Sequence, residues 1–461
     1  MSAETARNKG WMVVGAGTGI NLALGMLYSW SVINAYISAP AVDPKTGVAN
    51  LTTWGYSAAQ GSLPYSVALG VFAIVMVFAG RAQDKFGPRL VATIGGAMMG
   101  LGLIVASFAS KESIWLLVLG FGVLGGAGIG LGYASATPAA IKWFPPSKKG
   151  LITGIVVAGF GLASVYVSPM TTWLLSKKVS FYFFEINGLG LGVSRTFLIS
   201  GIFFFVVTVI LAQFLKNPPK DYKPVEEAPK ADAAPARKAA PVASKHDYTW
   251  QEMLKKPQFY LLWTMYAFVS FAGLMIIGHM AKIYKFQMPS DAVPLGFLLV
   301  AILAIGNASG RVTAGIVSDK IGRPMTMMVF FLSQAAFMGI LYLSGSQMLM
   351  AVGALGVGFN YGANLTLFPA NTADFFGVKN LGVNYGLVFT AWGFGGVMGS
   401  MAAGWIVDAT TTAAAPNGSY TIAYAIAAGL CVLAAVMTLI LKAPKYGEEP
   451  TLKEAEISLE G

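Results

Sequence analysis

Charge and cysteine are both scarce in this chain. Only 11% of its 461 residues are charged and 56% are hydrophobic, whereas charged residues make up about 25% of an ordinary soluble domain. The single cysteine, Cys431, excludes an intramolecular disulfide and a cysteine-based metal cluster. The two histidines, His246 and His279, are far apart in the sequence and cannot form a histidine-rich metal site without carboxylate help. We therefore expect no metal and no cofactor, and the composition indicates a membrane protein.

Long apolar runs follow one another along nearly the whole chain. Each is about 20 residues or longer, which is enough to cross about 30 Å of hydrocarbon as a helix. The first run is too long for the core of a signal peptide and is followed by no obvious small-residue cleavage site, so it is predicted to be a span. An all-α fold with twelve transmembrane helices is therefore predicted. The predicted spans are 11–36, 57–80, 89–109, 113–141, 150–174, 195–215, 257–284, 291–316, 323–344, 347–374, 381–408 and 419–442.

The basic residues are distributed unevenly between the loops on the two sides. If the amino terminus is cytoplasmic, 23 Lys and Arg residues face the cytoplasm, 7 face the opposite side, and Arg311 is left inside a span. This is the positive-inside pattern. It predicts a multi-pass protein of a bacterial inner membrane with both termini cytoplasmic. It also accounts for the net charge of +11 without any nucleic-acid partner.

One polar segment divides the chain. Residues 216–256 are rich in Ala, Pro, Lys and Glu and have no apolar face, which predicts a mostly disordered cytoplasmic linker. The stretch "YTWQEMLKK" at its end is compatible with a short amphipathic helix on the membrane surface. The predicted organisation is a six-helix bundle over 1–215, the linker, a second six-helix bundle over 257–442, and a cytoplasmic tail over 443–461.

The two sets of six spans share sequence motifs. "GRAQDKFGPR" (80–89) follows span two and "GIVSDKIGRP" (315–324) follows span eight, and both fit Gly-x-x-x-Asp-x-x-Gly followed closely by Arg. A second pair, "TPAAIKWF" (137–144) and "FPANTADFF" (368–376), ends spans four and ten. Motifs at matching positions indicate an internal repeat.

This arrangement resembles the major facilitator superfamily, whose two six-helix halves have this loop motif between helices two and three and between helices eight and nine. The resemblance extends over nearly the whole chain. The motif glycines allow tight turns, and Asp84 and Asp319 are predicted to meet a neighbouring helix N-terminus, where the helix dipole favours an anion. With Arg89 and Arg323 they would form a cytoplasmic charge clamp that holds one state of a transporter closed.

Within that superfamily, "KWFPPSKKGLITGIVVAGFGLAS" (142–164) resembles the junction of helices four and five in the oxalate/formate antiporter family. That family includes bacterial lactate and other monocarboxylate carriers. The resemblance implies alternating-access transport of a small organic anion without covalent chemistry. An enzyme would need a soluble domain, a metal constellation or a nucleotide loop, and the glycine-rich "GAGIGLG" (126–132) lies inside a predicted span. A channel or a sensor with a transporter fold is the alternative from another class.

Arg311 is the residue least expected in an apolar span. It lies eight residues before Asp319, which places it about 12 Å into the membrane, close to the midplane. A charged side chain there costs at least about 2.5–3.5 kcal/mol and faces the bundle interior or a cavity. Because Asp374 and Asp408 lie near helix ends, no acidic residue shares the depth of Arg311, and the expected partner is a substrate carboxylate held bidentately. Asn307, one turn earlier on the same face, is predicted to orient the guanidinium or to bind the substrate. In the lactate-carrying relatives an Asn or Asp accompanies the arginine at this spacing.

Other polar and aromatic residues were placed by counting along their helices. A first group converges on the depth of Arg311, and a second group lies further out, closer to an external vestibule. The first group is Tyr133, Tyr361, Asn364 and Trp392, and the second is Tyr28 and His279. The resemblance supports the three tyrosines, because relatives place tyrosines of helices one, four and ten around the anion. Ordinary helix packing is the alternative for any single aromatic.

Span eleven distinguishes this chain from the oxalate exchanger, which is similar but has a lysine there. "GLVFTAWGFGGVMGS" (386–400) contains neither Lys nor Arg. A dicarboxylate would leave one charge uncompensated, so a monocarboxylate such as lactate, pyruvate, formate or acetate is predicted. Proton symport is favoured, since a monoanion entering alone is opposed by about 2.3 kcal/mol per 100 mV. His279 is the one candidate proton carrier, exchange against a counter-anion is the alternative, and we expect a monomer.

Overall fold

The computed structural model describes residues 3–38, 53–145, 148–181, 183–219, 222, 246–288, 293–412 and 418–444. Within these residues, twelve helical segments are long and apolar enough to cross a membrane, and each overlaps one of the predicted spans. The predicted all-α fold is thereby confirmed. The segments, numbered α1–α12, are Asn8–Ile37, Ala58–Phe86, Pro88–Ala106, Trp115–Ile141, Gly150–Leu175, Gly192–Ala212, Pro257–Gln287, Gly296–Ile321, Arg323–Tyr342, Gln347–Phe376, Leu381–Thr410 and Thr421–Ile440.

Two of the segments are not regular α-helices throughout. In α1, an α-helix over Ala3–Leu24 changes to a 3₁₀ turn over Gly25–Ser29 and then to an α-helix over Trp30–Ile37. At the turn, Gly25 lies so close to the backbone carbonyl of Phe160 in α5 that a Cβ would not fit. The change of winding therefore occurs where α1 crosses α5, and it sets the direction of Tyr28. In α4, a π-helical stretch over Val118–Gly125 interrupts the helix.

The repeated loop motif ends two helices in the same way. Helix α2 continues to Phe86, beyond the predicted end, and stops at Gly87, whose φ is +85°. Helix α8 stops at Gly322, whose φ is +84°. Only glycine adopts such a positive φ without strain, so the second motif glycine sets each helix end and permits the immediate start of α3 or α9. The tight turn predicted for both copies is present.

With twelve spans, the start of α1 and the end of α12 lie on one face of the bundle, which we call the terminal face. The opposite surface is called the far face. The two halves of the chain meet mainly where α2 packs along α11, α5 along α8, and the last part of α1 along α7. Helices α8 and α10 pack so closely that a Cβ on Gly362 would overlap the carbonyl group of Asn307. The inner faces of these helices surround the centre of the molecule.

The two halves are joined by hydrogen bonds at the far face. Asp408, near the end of α11, accepts hydrogen bonds from the backbone N–H groups of Ala58 (2.7 Å) and Ala59 (2.9 Å) at the start of α2. Lys282 of α7 donates to Ser38 Oγ at the end of α1 (2.9 Å). These contacts close the far face over the centre.

A short β-hairpin, which sequence reasoning did not predict, connects α5 and α6. Strands β1 (Lys178–Ser180) and β2 (Glu185–Asn187) pair antiparallel, with Val179 opposite Ile186. Lys178 Nζ lies 2.9 Å from the Glu185 carboxylate, and this contact lowers the pKa of Glu185. The charged pair joins the two strands at the far face.

Part of the predicted linker is described. Residues 223–245 and the tail beyond residue 444 lie outside the described residues, as does the disorder predicted for them. The stretch predicted to be amphipathic contains a short helix, Trp250–Leu254, whose Met253 is buried. Thr249 and Glu252 form a capping box, and the backbone hydrogen bond from Thr249 lowers the pKa of the Glu252 carboxyl. The helix is thereby fixed against the terminal face.

Candidate functional site

Arg311 lies in the centre of the bundle with only 6% of its surface exposed. Its Nε atom donates a hydrogen bond to Asn307 Oδ1 at 2.8 Å, as expected for two residues one helical turn apart. One terminal nitrogen, Nη1, donates to the backbone carbonyl of Val157 in α5 at 3.1 Å. Gly161, one turn further along α5, leaves room for the Asn307 side chain. The guanidinium is therefore held between the two halves by α8 and α5.

Two buried donors beside Arg311 have no partner among the described residues. These are Nη2 of Arg311 itself and Nδ2 of Asn307. No carboxylate in the described part of the chain lies within 4.0 Å of the guanidinium. A buried donor without an acceptor costs about 1–3 kcal/mol, and more when it is charged. Two such donors on neighbouring side chains, one of them cationic, have the chemistry that an anion would match.

Three of the aromatic residues predicted from the sequence meet in one hydrogen-bonded group. Tyr28 Oη and Tyr361 Oη are 2.7 Å apart, and Trp392 Nε1 donates to Tyr361 Oη at 2.7 Å. All three side chains are buried. Since they belong to α1, α10 and α11, the group links the two halves. Tyr28 thus lies deeper than the prediction placed it, because the 3₁₀ turn directs it inward.

Further aromatic rings form a wall around this group. Tyr133 packs against Phe160, with ring centroids 5.2 Å apart, and Phe72 packs against Trp392 at 5.1 Å. Phe389 stacks on Trp392 at 4.8 Å. Sequence reasoning found Tyr133 and Trp392 but none of the three phenylalanines, since nothing in the sequence separates them from the other phenylalanines of the chain.

Two further polar residues lie on α10 and α11. Asn364, predicted from the sequence, is buried three residues after Tyr361 on α10, and its Oδ1 has no partner among the described residues. Tyr385 of α11 was missed. It lies within electrostatic range of Arg311, and its Oη is 3.4 Å from that of Tyr266. Tyr385 lies seven residues, or two helical turns, before Trp392, and this spacing could have identified it as a residue on the same helix face.

His279 is not part of this central group. It lies eight residues from the far-face end of α7, about 12 Å deep, whereas Arg311 lies about 22 Å from the far-face end of α8. The prediction placed His279 further out than Arg311, closer to an external vestibule. In the structure it is completely buried, because α11, α12 and the last part of α1 pack along α7.

Both ring nitrogens of His279 have hydrogen-bond partners. Nδ1 is 2.9 Å from Tyr420 Oη, and Nε2 is 3.0 Å from Ser62 Oγ and 3.2 Å from the carbonyl oxygen of Ser400. The carbonyl only accepts, which assigns the proton to Nε2. Burial raises the pKa of Tyr420 well above its usual value, so its hydroxyl stays protonated and donates to Nδ1. The neutral imidazole is therefore fully satisfied.

The second loop motif forms an ion-pair network at the terminal face. Arg323 reaches Asp319 at 3.1 Å and Asp374 at 3.2 Å, which joins the α8–α9 loop to α10. Asp319 does not bind a helix N-terminus among the described residues, contrary to the prediction for this motif. The i, i+4 spacing brings Arg323 close enough to occupy the carboxylate instead.

The first loop motif has different partners. Asp84 lies 3.6 Å from Lys142 Nζ, and it too binds no helix N-terminus in the described ranges. Arg89 donates to Gln213 of α6 at 2.7 Å rather than to Asp84. Because Pro88 is inserted before it, the arginine stands five residues after the aspartate instead of four and is directed away. The predicted clamp is therefore a network within each half.

The twelve membrane-spanning helices and the buried arginine between the two halves define a polytopic membrane protein with a polar centre. The family model described as Major Facilitator Superfamily matches residues 20–312 and 291–459. The chain belongs to this superfamily, as its motifs predicted. It is a transporter and not an enzyme.

Three curated relatives are similar over most of their length. YhjX, an uncharacterised transporter of this superfamily from Escherichia coli (strain K12), is 28% identical over 398 residues, covering 86% of this chain and 88% of the relative. The oxalate:formate antiporter of Oxalobacter formigenes is 30% identical over 338 residues, 71% of this chain and 72% of the relative. Apicoplast pyruvate carrier 1 of Toxoplasma gondii is 25% identical over 468 residues, 84% of this chain and 83% of the relative.

We expect Tyr361→Phe to destabilise the closed arrangement of the halves. The substitution leaves Trp392 Nε1 without its acceptor and Tyr28 without its partner, which costs about 1–3 kcal/mol of unfolding free energy. The melting temperature of the detergent-solubilised protein should fall. Tyr260→Phe is the matched control, because Tyr260 is exposed. An equal melting temperature for both variants would show that the hydrogen-bonded group contributes nothing to stability.

Proposed function

We propose that the protein is a secondary active transporter of small monocarboxylates such as lactate, pyruvate or formate, which works by alternating access with proton symport. The observation on which the proposal depends is the pair of unpartnered donors on Arg311 and Asn307. A carboxylate has two acceptor oxygens and one negative charge, and it matches the charge and the donors of this site. A relative named as a pyruvate carrier and another named as an oxalate:formate antiporter both support a carboxylate substrate.

The charge of the site favours a monoanion. Arg311 is the one cation at this depth among the described residues, and α11 contains neither Lys nor Arg. The surrounding aromatic wall gives a dicarboxylate no second positive charge. One uncompensated charge in such a site costs several kcal/mol.

The proposed transport cycle follows from the closed far face. In the structure, the hydrogen bonds of Asp408 to the start of α2 and of Lys282 to Ser38, with the α1–α7 contacts, hold the halves together on that side. An anion from the terminal face binds Arg311 and Asn307, and the halves then separate at the far face and close at the terminal face. The excess of basic residues in its loops supports a cytoplasmic terminal face under the positive-inside rule.

Anion exchange is the second candidate function. The relative named as an oxalate:formate antiporter favours it. An exchanger needs no proton carrier, and no carboxylate of the described residues lies near Arg311. The two candidates share the central site and differ in the return step: the site of a symporter returns empty, whereas the site of an exchanger returns with a counter-anion bound.

Counterflow in proteoliposomes tests the substrate class. We expect labelled lactate uptake to saturate, to be accelerated by unlabelled monocarboxylate inside, and to be inhibited by oxalate only at higher concentrations than by the best monocarboxylate. The physical reason is the single cation of the site. Equal or stronger inhibition by oxalate would indicate a dicarboxylate exchanger. Flux that does not saturate would indicate a channel, and no flux of any carboxylate would indicate a sensor.

A further inference from the structure

A second buried cation lies between the halves near the far face. Lys282 of α7 has 2% of its surface exposed, although it is far from Arg311 along the membrane normal. Its ammonium group donates one hydrogen bond, to Ser38 Oγ at 2.9 Å, and lies 5.4 Å from the centroid of the Phe286 ring. An ammonium group has three donors, so this environment satisfies it incompletely. Buried lysines inside membrane helices are expensive, which marks Lys282 as a functional residue.

No carboxylate compensates Lys282 directly. Among the described residues, none lies within 4.0 Å of its Nζ atom. Asp408 interacts with it at longer range, but both carboxylate oxygens of Asp408 accept from the backbone N–H groups of Ala58 and Ala59. Lys285, one turn further along α7, adds a second positive charge. Among the described residues, Lys282 therefore has no carboxylate partner at ion-pair distance.

A second unpartnered donor lies beside Lys282. Ser38 Oγ, which accepts from Lys282, is also 2.8 Å from Asn34 Oδ1. Asn34 is completely buried, and its Nδ2 has no partner among the described residues. A lysine ammonium and an amide N–H₂ next to each other repeat the donor chemistry of Arg311 and Asn307. The two groups come from opposite halves, α7 and α1, so the opening of the far face exposes them.

We propose that Lys282 and Asn34 form a second carboxylate-binding site, which an anion entering through the far face occupies before it reaches Arg311. This inference rests on the proposed function and adds to it the site at which the carboxylate first binds. When the halves separate at the far face, Ser38 moves away with α1 and Lys282 is released to bind the anion. A positive charge at the mouth of a cleft raises the local concentration of anions and their association rate. Binding of the anion at Lys282 and Asn34 is therefore a step of entry from the far face and not of entry from the terminal face.

Sided transport kinetics test the site. In right-side-out and inside-out membrane vesicles, Lys282→Gln should raise the KM for labelled lactate at the far face about five-fold or more, because charge at the entrance governs association. The KM at the terminal face should stay within about two-fold. Lys111→Gln is the control, since it removes the same charge from an exposed position in the far-face loop between α3 and α4. An unchanged far-face KM in Lys282→Gln, or an equal rise at both faces, would overturn the proposal.

A second variant serves if Lys282→Gln does not fold. Asn34→Asp has nearly the same shape and places a carboxylate beside Lys282, where it competes with the incoming anion. It should raise the far-face KM in the same way, while Lys282→Arg should preserve it. Wild-type kinetics from Asn34→Asp would contradict the site.

A binding measurement separates this proposal from the proposed function. Equilibrium dialysis of labelled lactate against purified Arg311→Gln protein requires no transport and no central site. We expect weak binding to remain in Arg311→Gln and to disappear in the double variant Arg311→Gln, Lys282→Gln. Equal binding by the two variants would overturn the second site whether or not the wild-type protein transports lactate. Loss of wild-type counterflow would instead overturn the proposed function alone.

Discussion

Arg311→Gln should abolish carboxylate transport while the protein still reaches the membrane. Glutamine can replace the hydrogen bond to Asn307 but has no positive charge, so the bound anion would be buried without compensation. Loss of one partner of a buried charged pair costs about 2–5 kcal/mol, which corresponds to a fall in uptake of roughly 30-fold or more. Arg311→Lys should fail as well, because a point charge cannot bond Asn307, Val157 and both substrate oxygens at once.

The measurement is uptake of labelled lactate into proteoliposomes that contain equal amounts of protein. Arg195→Gln is the matched control, because Arg195 is exposed at the start of α6 and its loss changes the net charge equally. The control should transport at the wild-type rate. If Arg311→Gln retained more than half of the wild-type uptake, the central assignment would be wrong.

Arg311 could be recognised in the sequence because a charge inside a membrane span has a large free-energy cost. A permanent cation in an apolar span needs a reason, and counting residues along a helix gives its depth without any knowledge of packing. Asn307 followed from helical spacing alone. The repeated loop motif likewise indicated the fold, since Gly87 and Gly322 can end helices in a way other residues cannot.

Contacts between helices that are distant in the sequence could not be predicted in the same way. The Val157 carbonyl that binds Arg311 belongs to an apolar residue, and its role depends on how closely α5 approaches α8. The depth of Tyr28 depends on a 3₁₀ turn that no sequence pattern announced. His279 was predicted to lie closer to an external vestibule, and its complete burial was not predicted because residue counting gives a depth but not the packing of the neighbouring helices.

The contact between a carboxylate and a helix N-terminus is another contact that the sequence did not locate. It was predicted for Asp84 and Asp319, where the family motif lies. The structure has this contact at the opposite face, where Asp408 binds the start of α2. The attraction between a carboxylate and a helix N-terminus is therefore present in this structure, but at the far face and not at the loop motifs. The candidate carboxylates can all be read from the sequence, but which of them binds a helix N-terminus depends on how the helices pack.

An inward pH gradient should drive lactate accumulation against its concentration gradient in proteoliposomes. A monoanion that enters alone is opposed by an inside-negative potential at about 2.3 kcal/mol per 100 mV, whereas entry with one proton is electroneutral. No carboxylate of the described residues lies near Arg311, so the proton must travel on the substrate or through His279. A gradient of one pH unit should give about ten-fold accumulation, because one unit corresponds to 1.36 kcal/mol per proton.

The variant His279→Gln separates the two routes. Glutamine can keep one of the contacts to Ser62, Ser400 or Tyr420, but it cannot take up a proton. If His279 transfers the proton, the variant should lose most of the pH-driven accumulation and retain most of its counterflow, because counterflow needs no net proton movement. Unchanged accumulation would assign the proton to the substrate alone. If the unmutated protein did not respond to the gradient, the proton would have no part in the cycle. The single charge at Arg311 would then be balanced by a second anion on the return step, as in obligate exchange.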